Sequence, residues 1–276
     1  MDNLFRGRHG RASRVRRAIQ ERLRFRPSGP RILANSIPKA GTHLLARCLE
    51  QFPGLIDSGT HFEPGTEAGE LTTALDHLSP GSFATAHLPY RRERAGVLDA
   101  ADVVHALIVR DPRDVVVSHF HYVTYRSINH RLHDHFNRLP DDGARLMASI
   151  RGVDAASAGL ERGLEDIGQR FRRYLRWRDH DCCLVRFRYL IGPRGGGSRS
   201  RQIEEIQRLA SHLGIELGPR DLERVLERAF FTKSTTFRRG VVGDWQNHFA
   251  EEHKTAFKEI AGQVLIDLGY EQDLDW

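Results

Sequence analysis

Apolar residues follow two rhythms along this chain. Short, nearly uninterrupted runs predict strands buried on both faces: RILANSI at 31–37, VVHALIV at 103–109 and CCLVRF at 182–187. SFATAHL at 82–88, closed by Pro89, predicts a further short strand. Between the runs, apolar residues recur at helical spacing. Leu44, Leu45, Cys48, Leu49 and Phe52 form one such face, after the breaker series PKAG at 38–41. A second helix carries Val115, Val116, Val117, Phe120 and Tyr122, and starts at Asp111-Pro112, an N-cap followed by proline in the first turn. Helical patterns also cover 201–213, 220–229 and 252–268, the last with Ala256, Phe257, Ile260, Val264 and Leu268 on one face. ERGLEDIGQRFRRYLRWRDH (161–180) reads as a charged helix. Residues 126–157 are polar and weakly periodic, which predicts a long connection or lid, and GPRGGGSRS (192–200) predicts a flexible surface loop. Strands alternating with helices predict an α/β fold, a mostly parallel sheet flanked by helices.

The length of 276 residues suffices for one large domain with a full core. No stretch approaches the ~18–20 apolar residues of a membrane span, and the N-terminus lacks the ~7–15-residue apolar run of a secretory signal. A cytoplasmic protein is the expectation. The formal net charge of +6 is unevenly placed. Residues 1–30 hold nine arginines against Asp2 and Glu21, whereas 33 basic and 34 acidic residues follow from 31 onward. A basic extension over 1–29 thus precedes a nearly neutral domain over 30–276. The extension suits nucleic acid, anionic lipid or a polyanionic substrate, or it is a solvated tail without a partner. Its Arg-rich, acid-poor start also has something of an organelle transit peptide. The three cysteines, Cys48, Cys182 and Cys183, have no metal-ligand spacing and read as small core residues in a reducing compartment.

The chemistry concentrates in a few segments. In PKAGTHLL (38–45), a turn meets a helix N-terminus, where unpaired backbone N–H groups and the positive end of the helix dipole favour an anion. Gly41 allows close backbone approach and Lys39 adds a point charge. An ordinary strand–helix turn with a surface lysine has the same appearance. The G-x-x-x-x-G-K-[ST] pattern of a Walker A loop is absent. IVRDPRDVVVSHFHY (108–122) puts Arg110 at the end of a buried strand and Ser118 two turns into the next helix. FRRGVVGDWQNHF (237–249) offers paired arginines and closely spaced glycines, a combination that grips phosphate.

These three segments resemble the PAPS-dependent sulfotransferase family, in order and in rough spacing, over about residues 31–250. The family transfers a sulfuryl group from 3′-phosphoadenosine 5′-phosphosulfate (PAPS) and releases 3′-phosphoadenosine 5′-phosphate (PAP). The resemblance implies a single-domain, P-loop-like α/β fold. PKAGTHLL is similar to the family's 5′-phosphosulfate loop, which implies cofactor contacts from Lys39, Ala40, Gly41, Thr42, His43 and Leu44. RDPRDVVVSHFHY is similar to its 3′-phosphate segment, with Arg110 and Ser118 at the matching positions. RRGVVGDWQNHF is similar to its C-terminal R-K-G-x-x-G-D-W-K-N-x-F motif, so that Arg238, Arg239 and Gly240 would contact the 3′-phosphate. ATAHLPY (84–90) is similar to the family's K-T-H-L-P segment, whose histidine is the catalytic base, and this carries over to His87. A lone histidine at a strand end is otherwise most often structural. Glu63, in HFEP, is the reserve candidate for the base. The resemblance further implies in-line displacement at sulfur, with Lys39 offsetting charge on the oxygen between phosphate and departing sulfuryl group.

The chain departs from the family pattern at several positions. Thr85 replaces the lysine of K-T-H-L-P. His43 and Leu44 stand where a threonine and an adenine-packing tryptophan are usual. Phe237 matches an adenine-side aromatic, and Phe187 falls where a Y-E-D tyrosine is usual. No metal is expected: His119, His121, His130, His133 and His135 fit no standard site by spacing. The acceptor is expected to be a small molecule or a glycan with a hydroxyl or amine; its identity and the oligomeric state are not written in the sequence. Two other readings stand beside this one, a P-loop-type nucleotide kinase and a non-catalytic module that binds anions or nucleic acid. The near-neutral domain weighs against nucleic acid as the partner.

Overall fold

The computed structural model describes residues 28–229 and 240–276. Its centre is a five-stranded, wholly parallel sheet of β1 (Arg31–Ser36), β2 (Ile56–Phe62), β3 (Ser82–Ala86), β4 (Val103–Val109) and β5 (Cys182–Arg186), in the order β2-β3-β1-β4-β5. In β1, every residue from Ile32 to Ser36 is fully buried. Side chains alternate between faces along a strand, so such a run requires cover on both. One face receives Ile32 and Ala34 with Leu45, Cys48 and Leu49 of α1 (Thr42–Leu49), and the later helices over 199–212 and 219–228. The other receives Leu33 and Leu107, packed under α2 (Ala68–Asp76), α3 (Arg92–Ala100) and α4 (Pro112–Tyr125). The result is one α/β domain, as the rhythm of the sequence predicts.

Elements carried by a clear period match expectation, and short or amphipathic ones depart from it. The stretch 126–157 is not a bare connection. It holds α5 (His133–Arg138), α6 (Asp142–Arg151) and α7 (Ala155–Ala158), with Leu132, Phe136, Leu146 and Ile150 at most 1% exposed. Asp141 and Asp154 cap α6 and α7 through their carboxylates. Helices of so few turns give too few apolar repeats for a period to show. The charged helix at 161–180 contracts to α8 (Ile167–Leu175), because Asp166 caps Gln169 N–H and Leu164 pairs with Val153 ahead of it. A single turn (Phe187–Leu190, α9) follows β5. Next come α10 (Arg199–His212), α11 (Pro219–Arg228) and α12 (Glu251–Asp267). The glycine run at 192–200 lies mostly at the surface, as expected, but it is pinned at Gly192 and Gly195. Gly195 is buried, and a Cβ on it would lie 2.1 Å from Ile191 Cγ1 and 2.8 Å from the Gly240 carbonyl oxygen. No helix among the described residues is long and apolar enough to cross a membrane.

His105, inside β4, is 2% exposed and edge-on to Trp177 at 4.5 Å between ring centroids. Neither of its ring nitrogens has a hydrogen-bond partner among the described residues, and burial pushes its pKa down to about 3. The unfolded chain takes up that proton near the ordinary histidine value of about 6.5. Protons therefore bind the unfolded state better across this window, and stability present above it declines as pH falls. Replacing His105 with Phe should flatten the decline by about one proton between about pH 6 and 4. Urea unfolding at a series of pH values measures this, and an unchanged slope would assign the decline to other groups.

Candidate active site

The helices after β1 and β4, adjacent strands, lie on opposite faces of the sheet. Their carboxyl ends consequently open into a crevice, the place where open α/β sheets bind ligands. Three of the segments singled out in the sequence meet there: the turn after β1, the extension of β3, and the start of α4.

The turn after β1 is tight. Ala40 N–H donates to Ile37 O at 2.9 Å, Lys39 has φ 72° and Gly41 has φ 119°. At Gly41 a Cβ would sit 2.7 Å from Phe187 Cδ2, so glycine is required by both conformation and space. No side chain caps α1 and its first turn holds no carboxylate, which leaves the dipole's positive end for an anion. Lys39 Nζ lies 3.7 Å from the centroid of the Tyr122 ring, a cation–π contact that brings the ammonium over α4. Thr42 is half-buried, its hydroxyl 2.6 Å from Ser36 Oγ, whereas His43 is exposed. Ala40 and Leu44 are core residues at 0% and 8% exposure.

His87 follows β3 and is half-buried beside the turn. Its Nδ1 is 3.0 Å from the Ser36 carbonyl oxygen, which can only accept, so Nδ1 carries the hydrogen and Nε2 carries the lone pair. Burial lowers the His87 pKa, an effect opposed by the bond to Ser36. A neutral ring with its basic nitrogen fixed at Nε2 can take a proton at neutral pH. The backbone here is held from several sides. His87 N–H donates to Phe62 O at 2.8 Å, and Tyr174 O–H donates to His87 O at 2.9 Å. The fully buried Asn35 donates to Leu88 O at 2.8 Å and accepts from Leu88 N–H at 2.9 Å, and Trp177 Nε1 donates to the same carbonyl. Arg94, 1% exposed, donates to the carbonyls of Pro89, Pro64 and Thr66, tying the chain after β2 to the chain after β3.

On the other side of β1, Arg110 is 7% exposed. Its Nη2 donates to Val241 O at 2.9 Å and is 3.6 Å from Asp114 Oδ2, and its guanidinium stands 4.5 Å from the Phe187 ring centroid. Asp114 in turn accepts Gly243 N–H and Trp245 N–H, both at 3.0 Å. Burial raises the Asp114 pKa against the pull of Arg110 and these two amides. The segment beginning at Gly240, itself half-buried with φ 58°, is thereby latched onto the first turn of α4 next to Arg110. Arg113, 3% exposed, anchors the same region, pairing with Asp111 at 2.8 Å and Glu271 at 2.5 Å beneath the rings of Trp245 and Trp276.

This arrangement has solved counterparts. The fold is that of solved sulfotransferases. A mouse sulfotransferase, SULT7A1, complexed with PAP, superposes with a TM-score of 0.62 at 19% identity, over 89% of each chain. Retinol dehydratase in complex with androsterone and the inactive cofactor PAP gives 0.58 at 17% identity, over 88% of this chain and 82% of the other. The same enzyme with retinol and PAP gives 0.55 at 14% identity over the same shares. No family model matches the chain, and no curated protein matches it by sequence.

Within this sulfotransferase fold the remaining expected residues distribute as follows. Ser118 is half-buried in the second turn of α4, and Phe187 is 5% exposed between Gly41 and Arg110. Phe237, Arg238 and Arg239 lie outside the described residues. Glu63 follows β2, 3.8 Å from His61 Nε2. Of the histidines, His119 is buried with Nδ1 2.8 Å from Ser149 Oγ, His121 stacks on Phe120, and His133 Nδ1 is 2.8 Å from Val123 O. Among the described residues no group of three or more His, Cys, Asp or Glu side chains is placed to hold a metal ion. Sequence reasoning missed Asn35, His61, Arg94 and Asp114. Asn35 was the most findable, an amide inside an otherwise apolar strand, where a buried polar group demands partners.

Gly41→Ala should cost about 1–3 kcal/mol of stability, the scale of one strained backbone position, and push α1 off Phe187. Chemical denaturation measures it; an unchanged midpoint would mean that the turn is looser than its 2.7 Å clearance implies.

Proposed function

We propose that the chain is a sulfotransferase using PAPS, with His87 as the base. The observation that carries this reading is the convergence on one crevice of the Lys39–Gly41 turn, a neutral His87 whose Nε2 bears the lone pair, and the buried Arg110. The fold shared with PAP-bound sulfotransferases supports it. The site suits the group on its own terms. An uncapped helix start beside a lysine fits a phosphosulfate, and an arginine held by an aromatic ring and a carbonyl fits a terminal phosphate.

When bound, PAPS supplies an activated sulfuryl group on a phosphate leaving group. Backbone amides of residues 39–44, Lys39 to Leu44, would hold the phosphosulfate. Arg110 and Ser118, with Arg238, Arg239 and Gly240, would hold the 3′-phosphate, and Phe187 and Phe237 would border the adenine. His87 Nε2 would take the proton of the acceptor hydroxyl or amine. Lys39 would offset negative charge on the oxygen between phosphate and sulfuryl group. A small-molecule or glycan acceptor and a cytoplasmic setting are part of the same proposal.

Calorimetric titration with PAP, AMP and ATP tests the reading. Tight binding of PAP with weak binding of the other two is expected; preference for ATP moves the chain to the nucleotide kinases, and no nucleotide binding moves it to the anion-binding modules. Arg110→Ala should weaken PAP by roughly ten- to a hundredfold, the worth of one charge-assisted hydrogen bond, and barely change AMP. His87→Ala should lower PAPS turnover by ~10²–10⁴-fold and leave PAP affinity near wild type. Turnover that survives this change would place the base elsewhere, with Glu63 next in line.

A further inference from the structure

His61 closes β2 beside Thr85 of β3, its partner in the strand register, and its ring meets the His87 ring edge-to-face at 5.0 Å. Both of its nitrogens are engaged. Thr85 directs its own hydrogen toward Thr60 O at 3.4 Å, so it accepts from His61 Nδ1–H at 2.9 Å. Nε2 stands 3.8 Å from the Glu63 carboxylate, which favours a hydrogen there as well. That separation is an ion-pair distance, beyond hydrogen-bond reach, and the carboxylate beside Nε2 favours the imidazolium form of the ring. His87, by contrast, gives its one hydrogen to the Ser36 carbonyl.

We propose that His61 and His87 act as an unequal pair, in which His61 carries the positive charge that keeps His87 neutral and ready to accept a proton. The functional meaning of this pair rests on the reading of His87 as the base, but the pairing itself is measured without substrate. Like charges on neighbouring rings oppose each other, so a proton on His61 disfavours one on His87. The other groups facing the pair are Lys39 from the turn after β1, His43 from α1, Glu63, and Tyr174 of α8, whose hydroxyl donates to the His87 carbonyl. Lys39 pushes in the same direction as His61, and Glu63 pushes against both. The pair also gives a role to Thr85: at this position a hydroxyl aims a cationic ring from the neighbouring strand.

The test is a pH titration of the histidine rings by NMR in the full chain, comparing wild type, His61→Gln and Thr85→Val. His61→Gln should raise the His87 midpoint by about half a pH unit or more, the size expected for a charge at about 5 Å in water-like surroundings. Thr85→Val, which removes the acceptor for Nδ1–H, should raise the His87 midpoint by less. It decides the matter alone if His61→Gln does not fold. A His87 midpoint that stays put or falls in the folded variant overturns the pairing. PAP calorimetry on the same variants separates the two ideas: normal PAP binding with no coupling sinks the pair alone, while coupling without PAP binding sinks the sulfotransferase reading and leaves the pair standing.

Discussion

The site hangs on one buried amide. Asn35 is fully enclosed at the end of the central strand, and its side chain satisfies both backbone groups of Leu88 while also accepting from Ser36 N–H. A buried amide left unpaired costs about 1–3 kcal/mol per group, so these bonds are compulsory once the strand is covered on both faces. They fix the spacing between the last residue of β1 and the chain leaving β3, which is the spacing between Ser36 and His87. The tautomer of His87 follows from that spacing, and its basic nitrogen follows from the tautomer. Trp177, Tyr174 and Arg94 then brace the same short segment through its carbonyls, or those just beside it.

Charge around the crevice is arranged by burial more than by number. Arg110 and Asp114 lie within reach of one another, yet each is held chiefly by backbone, Arg110 by a carbonyl and Asp114 by two amides. Each side chain is thus tied to the backbone of the 240–245 segment as well as to the other. Arg94 takes this further, since it donates to three carbonyls, and burial lowers its pKa. Such a group holds two loops in place through their carbonyl oxygens.

The fold was largely legible because parallel strands covered on both faces announce themselves as continuous apolar runs. RILANS, VVHALIV and CCLVR fall where the pattern put them. β2 (IDSGTHF) escaped because it is an edge strand with half-exposed and polar residues, and only Phe62 is buried. The short helices of 133–158 escaped because each buries only one or two anchors. At the site, Lys39, Gly41, His87 and Arg110 were visible because turn and strand-end positions are local signals. His61, Asp114 and Arg94 were not, for their importance lies in contacts with partners far along the chain, and spacing in one segment carries no trace of them.

The Arg113 anchor has a consequence for synthesis. The carboxylate of Glu271 lies 158 residues downstream of the arginine it pairs with, and Trp276, one of the rings above it, comes later still. At translation speeds of about 5–20 residues per second, the start of α4 waits roughly 8–30 seconds for these partners to leave the ribosome. During that interval the sheet can form while one wall of its crevice stands on an unfinished foundation. The wall of the crevice that rests on Arg113 is therefore completed only after Glu271 and Trp276 have been made.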